Sequence, residues 1–324
     1  MRVLVTGGAG FIGSAYVREL LAGAYPAWQG AQVTVLDLLT YAGNLANLAP
    51  VDGRFTFVHG DIGDCALLDR VVPGHDVVVN FAAESHVDRS IAGAGDFVRT
   101  NVLGVQRLFD ACLNAGVGRV VHISTDEVYG SIDSGSWDES APLAPNSPYA
   151  ASKASSDLLA RAYHVTHGLP VVTTRCGNNY GPYQYPEKVI PLFATRLLTG
   201  GTVPLYGDGG NVRDWIHVTD HCRGIQVAAE RGVPGEVYHI AGTRELTNVE
   251  LTDRLLTACG AGWDRVDKVP DRLGHDRRYS LTDAKLRALG YAPRIPFEEG
   301  LAATVRWYAE NPAWWRDSVQ GAHR

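Results

Sequence analysis

The short strand pattern Arg2-Val3-Leu4-Val5 runs almost directly into Gly7-Gly8-Ala9-Gly10-Phe11-Ile12-Gly13, and a helical pattern from Ile12 to Leu21 follows at once. Glycines at 7, 10 and 13 let the backbone turn tightly and let the first helix bring its N-terminus close to a ligand. The free N–H groups and dipole of that helix end favour an anion, above all a pyrophosphate. Few folds put a strand, a glycine-rich turn and a helix in this order, and the dinucleotide-binding βαβ unit is foremost among them.

The rest of the N-terminal half extends the same theme. Apolar strand patterns recur at Val3–Val5, Val33–Leu36, Phe55–His59, Val77–Phe81, Val120–Ile123 and Val171–Thr174. Helical patterns fit between them at Ile12–Leu21, Val98–Asn114 and Tyr149–His167. This alternation predicts an α/β fold, a Rossmann-type doubly wound parallel sheet, over residues 1–176. Beyond Arg175 the alternation fails and Gly/Pro-rich segments such as Tyr180-Gly181-Pro182 appear. A smaller, mostly C-terminal α/β substrate lobe is therefore expected over residues 177–324, with helices at Val249–Ala258, Asp283–Leu289 and Phe297–Glu310. One more apolar run, at 237–241, is expected to return to the large sheet.

Strand ends locate the ligand in such sheets. Asp37 closes the second strand where a carboxylate accepts bonds from the adenosine ribose hydroxyls. The following Leu38-Leu39-Thr40 offers no cation for a 2′-phosphate, so NAD is expected rather than NADP. Asp61-Ile62 ends the third strand at the adenine edge, and Phe81-Ala82-Ala83-Glu84-Ser85 ends the fourth with small residues where backbone must approach the cofactor.

The fifth strand ends differently, in Ser124-Thr125-Asp126-Glu127-Val128-Tyr129-Gly130. Adjacent carboxylates do nothing for strand packing, because each must be hydrated, paired or protonated. Downstream, Tyr149 and Lys153 stand at i and i+4 on one helical face. A neighbouring ammonium favours phenolate, so Tyr149 is expected to take a hydroxyl proton while hydride leaves the same carbon. Thr125 is expected to share that hydrogen-bond network.

Composition narrows the partners. A net charge of −6 with no Lys/Arg-rich run argues against nucleic acid. The cysteines, at 65, 112, 176, 222 and 259, are scattered and never spaced as C-x-x-C, which points to a reducing compartment and no metal site. No leader pattern or membrane-length apolar run is present, so a cytoplasmic, membrane-free location is expected.

Together, the GGAGFIG string, Tyr149-x-x-x-Lys153 and the C-terminal lobe resemble the nucleotide-sugar branch of the extended short-chain dehydrogenase/reductase family. Ala82 to Ser90, Ser124 to Gly130, Asn178 to Lys188 and Asn211-Val212-Arg213-Asp214-Trp215 are similar to its dTDP-glucose 4,6-dehydratases. The resemblance implies an NAD-dependent hydro-lyase of deoxysugar biosynthesis. Tyr149 would act on the sugar 4-hydroxyl, Glu127 as base at C5 and Asp126 as acid at the C6 hydroxyl, with Thr125 and Lys153 completing the catalytic set. It implies cofactor contacts from Gly7, Gly10, Phe11, Ile12, Gly13, Asp37, Leu38, Thr40, Asp61, Ile62, Phe81, Ala82, Ala83, Ser85, Thr100, Tyr149, Lys153 and Asn179. Substrate contacts would come from Ser85, Thr125, Asn178, Lys188, Val189, Pro204, Tyr206, Arg213, Asn248, Arg272 and His275. Arg213 has the chemistry for a diphosphate, since a guanidinium forks onto its oxygens. Tyr206 either stacks on the base or packs as a rim tyrosine, and the cluster around His275 either clamps phosphate or is solvated. Leu38 and Leu273 depart from the lysine and proline frequent in the family. A homodimer paired through helices near 98–114 and 149–167 is also implied, although Val102, Val105, Leu108 and Phe109 could equally face the sheet. Competing readings are a nucleotide-sugar 4-epimerase, against which Asp126-Glu127 counts, a 4,6-dehydratase for another nucleotide sugar, and an NAD-binding sensor or scaffold on the same fold.

Overall fold

The computed structural model describes residues 1–321. Its strands, in chain order, are β1 (Arg2–Thr6), β2 (Gln32–Asp37), β3 (Thr56–His59), β4 (Val77–Asn80), β5 (Arg119–Thr125), β6 (Val171–Cys176), β7 (Asn178–Tyr180), β8 (Val203–Tyr206), β9 (Val212–His217), β10 (Val237–Ile240), β11 (Arg244–Thr247) and β12 (Val266–Val269). Seven of them form one parallel sheet in the order β10-β6-β5-β4-β1-β2-β3. The order reverses direction at β1, opening a crevice at the strands' carboxyl ends.

Valine-rich strands buried on both faces explain the sheet's position in the core. Val3 and Val5 pack into the cluster formed with helices Phe11–Leu21 and Val218–Arg231, whereas Leu4 between them packs into the opposite cluster with Leu108, Phe109 and Ala160. The same division separates Val77 and Val79 from Val78, as a two-residue period requires.

The smaller sheets are β11-β9-β7 and β12-β8, and they share a third apolar core with helices Val189–Leu198, Asn248–Cys259 and Phe297–Glu310. Two expectations need correction. The helix at Ala284–Ala288 does not join this lobe: Leu286 is fully buried in the core of the large sheet, where the neighbouring β10 leaves an apolar face to cover. The segment expected as one helix from Val98 is also interrupted. Gly95–Val98 is α-helical, Arg99–Gly104 winds as a π-helix, and Val105–Ala115 resumes the α-helix. Such bulges concentrate at functional sites. Here Asn101 uses it to grip the segment after β4, accepting from the Glu84 N–H at 2.8 Å and donating to the Glu84 carbonyl at 2.9 Å.

The helix Pro148–His167 carries Tyr149 and Lys153 at its start. Ser147 caps it, its Oγ accepting from the Ala150 N–H at 3.1 Å, Pro148 sits in the first turn, and Gly168 ends it at φ 71°. Ser147→Ala is therefore expected to lower stability by about 1 kcal/mol in urea unfolding.

Candidate active site

A crevice of about 430 Å³ runs from the glycine turn, across the ends of β5 and β6, into the smaller lobe. A second, of about 110 Å³, continues from Gly7 and Gly10 along the ends of β2, β3 and β4.

The glycine turn fits a dinucleotide. A Cβ on Gly7, which has φ +67°, would lie 2.5 Å from the Ala82 nitrogen, and one on Gly13 would lie 2.3 Å from the Gly7 carbonyl oxygen. Only hydrogen fits at either place, so the helix N-terminus stays open to a phosphate. Asp37 fixes the turn, accepting from the Ala9 N–H at 2.9 Å and the Leu39 N–H at 2.8 Å. Leu38, Thr40, Asp61, Ile62, Ala82 and Thr100 line the same crevice with Asp37. Phe81 and Ala83 border both crevices, and Phe11, Ile12, Ser85, Tyr149, Lys153 and Asn179 line the larger one. Every sequence-predicted cofactor residue thus lies on one continuous surface.

Strand β5 brings the paired carboxyls to the crevice. Thr125 sits opposite Cys176 of β6, and the chain then winds into a 3-10 turn, Asp126–Tyr129, capped by Thr125 Oγ1 accepting from the Glu127 N–H at 3.3 Å. Thr125 Oγ1 also donates to Asp126 Oδ1 at 3.1 Å, while Asp126 Oδ2 is buried with no hydrogen-bond partner. Burial, reinforced by the Glu127 charge, holds Asp126 well above the usual carboxylate range. Burial also raises Glu127, but the cations Lys188, Arg213 and Arg272 oppose the shift. The two adjacent carboxyls are thereby placed in unlike surroundings, Asp126 favoured toward the neutral form and Glu127 offset by three cations.

Tyr149 and Lys153 face the same crevice. Burial pushes the Lys153 ammonium down to about 8, and its Nζ donates to the Ile123 carbonyl at 2.6 Å. Tyr149 differs from the expectation. Burial first, then the charges of Glu127, Cys176 and Asp126, push its phenol well above the ordinary value, and the opposing influence is a hydrogen bond with Thr125. Sequence spacing registers the lysine but not the carboxylates opposite it.

The lobe end of the crevice is lined by Asn178, Lys188, Val189, Pro204, Tyr206, Arg213, Asn248, Arg272 and His275, joined by Ser85 and Thr125 from the large sheet. Arg213 is held over the Tyr279 ring at 4.4 Å and donates to the Asp276 carbonyl at 3.0 Å. Arg272 pairs with Asp88 at 3.5 Å across the mouth, and His275 contacts Asp271 at 2.6 Å. Lining residues not singled out from the sequence include His86, Asp88, Cys176, Tyr185, Glu187 and Tyr279. Cys176 ends a strand of the large sheet, where ligand-lining residues are expected; His86, at φ 90°, stands within the Ala82 to Ser90 run but nothing in its spacing marks it as a lining residue.

Residues 4–304 match the GDP-mannose 4,6 dehydratase family. A dTDP-glucose 4,6-dehydratase from Streptomyces niveus is 61% identical over 97% of this chain and 95% of its own length. One from Actinoplanes is 60% identical over 97% of this chain and 100% of its own. The crystal structure of DesIV, a dTDP-glucose 4,6-dehydratase from Streptomyces venezuelae solved with NAD and dTDP, superposes with a TM-score of 0.97 at 66% identity, covering 98% of this chain and 100% of that one. Fold, glycine turn, carboxyl pair and sequence agree, and the chain belongs to the GDP-mannose 4,6 dehydratase family, within the extended short-chain dehydrogenase/reductases.

Proposed function

We propose that this protein is a dTDP-glucose 4,6-dehydratase, an NAD-dependent hydro-lyase that converts dTDP-glucose to dTDP-4-keto-6-deoxyglucose for deoxysugar biosynthesis. The observation that carries the reading is the placement of Asp126, Glu127 and Tyr149 on one buried crevice that continues to the glycine turn. Fold alone does not decide it, since a UDP-glucose 4-epimerase from Thermus thermophilus superposes with a TM-score of 0.88 at 34% identity.

The glycine turn, Asp37 and the residues around Asp61 and Thr100 hold NAD. Bound there, NAD would supply the acceptor for the C4 hydride and the donor of hydride to C6, with no net consumption. Tyr149 takes the proton of the 4-hydroxyl, with Thr125 sharing the hydrogen bond. The resulting ketone acidifies the hydrogen on C5, and Glu127 removes it as general base. Asp126, protonated, donates to the departing C6 hydroxyl, so water leaves, and the later hydride addition at C6 is matched by a proton returned to C5. Lys188, Arg213, Arg272 and His275 hold the nucleotide diphosphate, with Asn178, Val189, Pro204, Tyr206 and Asn248 shaping its pocket. Residues 1–176 with the 237–241 strand form the cofactor domain, and 177–324 supply most of the sugar-nucleotide lobe.

The test is mass spectrometry of purified protein incubated in deuterated water with dTDP-glucose and no added cofactor. Loss of one water with deuterium at C5 supports the reading. An unchanged mass with an inverted C4 makes the protein an epimerase and removes the roles given to Asp126 and Glu127.

A cytoplasmic homodimer completes the reading. Val105, Leu108 and Phe109 pack against the sheet, so they are not the dimer face. Leu158 and Val165, seven residues apart on one helix, are exposed together with Val98 and Leu103 on the adjoining helical segment. Apolar residues left on neighbouring helices suit a second copy of the same surface. Leu158→Asp with Val165→Asp is expected to shift the protein from dimer to monomer in sedimentation equilibrium.

A further inference from the structure

Directly behind the lining residues Ser124 and Cys176 lies a buried polar array that does not itself line the crevice and that the mechanism above does not use. Its centre is Arg175 on β6, in register with Ser124 of β5 on one side and His239 of β10 on the other. Arg175 Nε donates to Asp157 Oδ2 at 2.8 Å, and its Nη1 donates to the Tyr129 hydroxyl. Tyr129 and His239 Nε2 are 2.6 Å apart, and His239 Nδ1 lies 3.1 Å from the Thr282 carbonyl. The carbonyl can only accept, so Nδ1 carries the imidazole proton and Nε2 receives the Tyr129 hydroxyl hydrogen. Each group then has a partner of the right kind: one guanidinium on one carboxylate, one phenol accepting from the first and donating to a neutral imidazole. Burial keeps that imidazole neutral, pushing it down to about 3.

The two ends of the array matter. Asp157 stands four residues after Lys153 and eight after Tyr149 on the same helix. Tyr129 is the last residue of the turn that begins with Asp126 and Glu127. One guanidinium therefore joins the element that acts at C4 to the element that acts at C5 and C6. The helix has other anchors, the Ser147 cap and the Lys153 bond to Ile123; the turn is held by its Thr125 cap, by the Val128 carbonyl accepting from the Ala144 N–H at 3.0 Å and by Tyr129 stacked on Trp137, and of these only Tyr129 connects it to the helix through Arg175.

We propose that Arg175 is a positioning residue for the elimination, holding the Asp126–Glu127 turn in register with the Tyr149–Lys153 helix through Asp157 and Tyr129. The inference rests on the dehydratase reading above. A guanidinium forks to two partners at a fixed angle, and an ammonium cannot. Arg175→Lys keeps the charge beside Asp157 but not the second bond, so the turn shifts while the helix stays.

The experiment compares wild type, Arg175→Lys and Tyr129→Phe with dTDP-glucose and NAD, quenching single turnovers for mass spectrometry and measuring kcat and KM. The expected result is a fall in kcat on the order of tenfold to a hundredfold, the scale for displacing a catalytic group by about 1 Å, with KM little changed. It is accompanied by a nucleotide sugar that has lost hydrogen at C4 but not water. Folded variants with wild-type kcat, or with reduced kcat and no accumulated keto sugar, overturn the inference. Tyr129→Phe removes a hydroxyl and no charge, and carries the test should Arg175→Lys not fold. Wild-type protein that forms no dehydrated sugar overturns the underlying reading and the inference with it.

Discussion

Tyr149→Phe is expected to lower kcat by roughly 10³- to 10⁴-fold, the upper part of the range for losing a positioned general base, while KM for dTDP-glucose changes only a few-fold. The asymmetry follows from where binding and chemistry sit. Lys188, Arg213, Arg272 and His275, the proposed diphosphate contacts, line the lobe end of the crevice and are untouched by the loss of a phenol hydroxyl. At the reacting end, Thr125 keeps its bonds to Asp126 and Glu127, and Lys153 keeps its bond to Ile123. The site should therefore stay assembled but have nothing to accept the 4-hydroxyl proton. The protein alone does not make Tyr149 a base: burial and the charges of Glu127, Cys176 and Asp126 all favour the neutral phenol. Ultraviolet titration of cofactor-free protein should show no Tyr149 ionisation below the ordinary tyrosine value of 10.0. A kcat within threefold of wild type would remove Tyr149 from the first step.

The second large effect separates Asp126 from Glu127. Both Asp126→Asn and Glu127→Gln are expected to lower dehydration by about 10²- to 10⁴-fold while C4 oxidation continues, so 4-keto-glucose nucleotide accumulates. The two variants differ in deuterated water. With Glu127 intact, Asp126→Asn should still exchange the C5 hydrogen of the accumulated ketone with solvent; Glu127→Gln should not. Equal exchange in both would dissolve the assignment of base and acid.

The pH dependence has a definite sign. Burial raises Asp126 well above its usual value of 3.8, so if it serves as the acid, dehydration is expected to be lost as pH rises through its folded value. Glu127, raised by burial against the opposing cations, acts as the proposed base only when ionised, so dehydration is expected to be lost as pH falls through its own value. The resulting bell belongs to the coupled pair rather than to either carboxyl. The same shift carries a stability cost. A carboxyl raised on folding stabilises the native state below its unfolded value, and that contribution disappears as pH rises through the folded one. Asp126→Asn should therefore unfold at higher urea than wild type, with a gain that grows toward alkaline pH, even as catalysis is lost.

Much of this was written in local patterns. The glycine spacing, the valine-rich strands and Asp37 at the end of β2 specify a nucleotide-binding parallel sheet, because each is a short-range consequence of backbone freedom or of a two-residue period. Tyr149 and Lys153 could be paired from helical spacing, and Asp126-Glu127 stood out because carboxylates gain nothing at the end of a buried strand. What required the tertiary structure was everything depending on groups distant in sequence. Burial and the cations Lys188, Arg213 and Arg272 set the proton affinities of two adjacent carboxyls, and those cations lie 61 to 145 residues beyond Glu127. The π-helical turn that carries Thr100 at the crevice and buried Asn101 beside Glu84 reads in sequence as ordinary helix, since the Asn101 bonds to Glu84 join residues 17 apart. Likewise the helix at Ala284–Ala288 looks like part of the lobe along the chain, but the exposed side of β10 claims its Leu286 for the large core. Periodicity records which face of an element is apolar; only the assembled sheet decides which neighbour covers it.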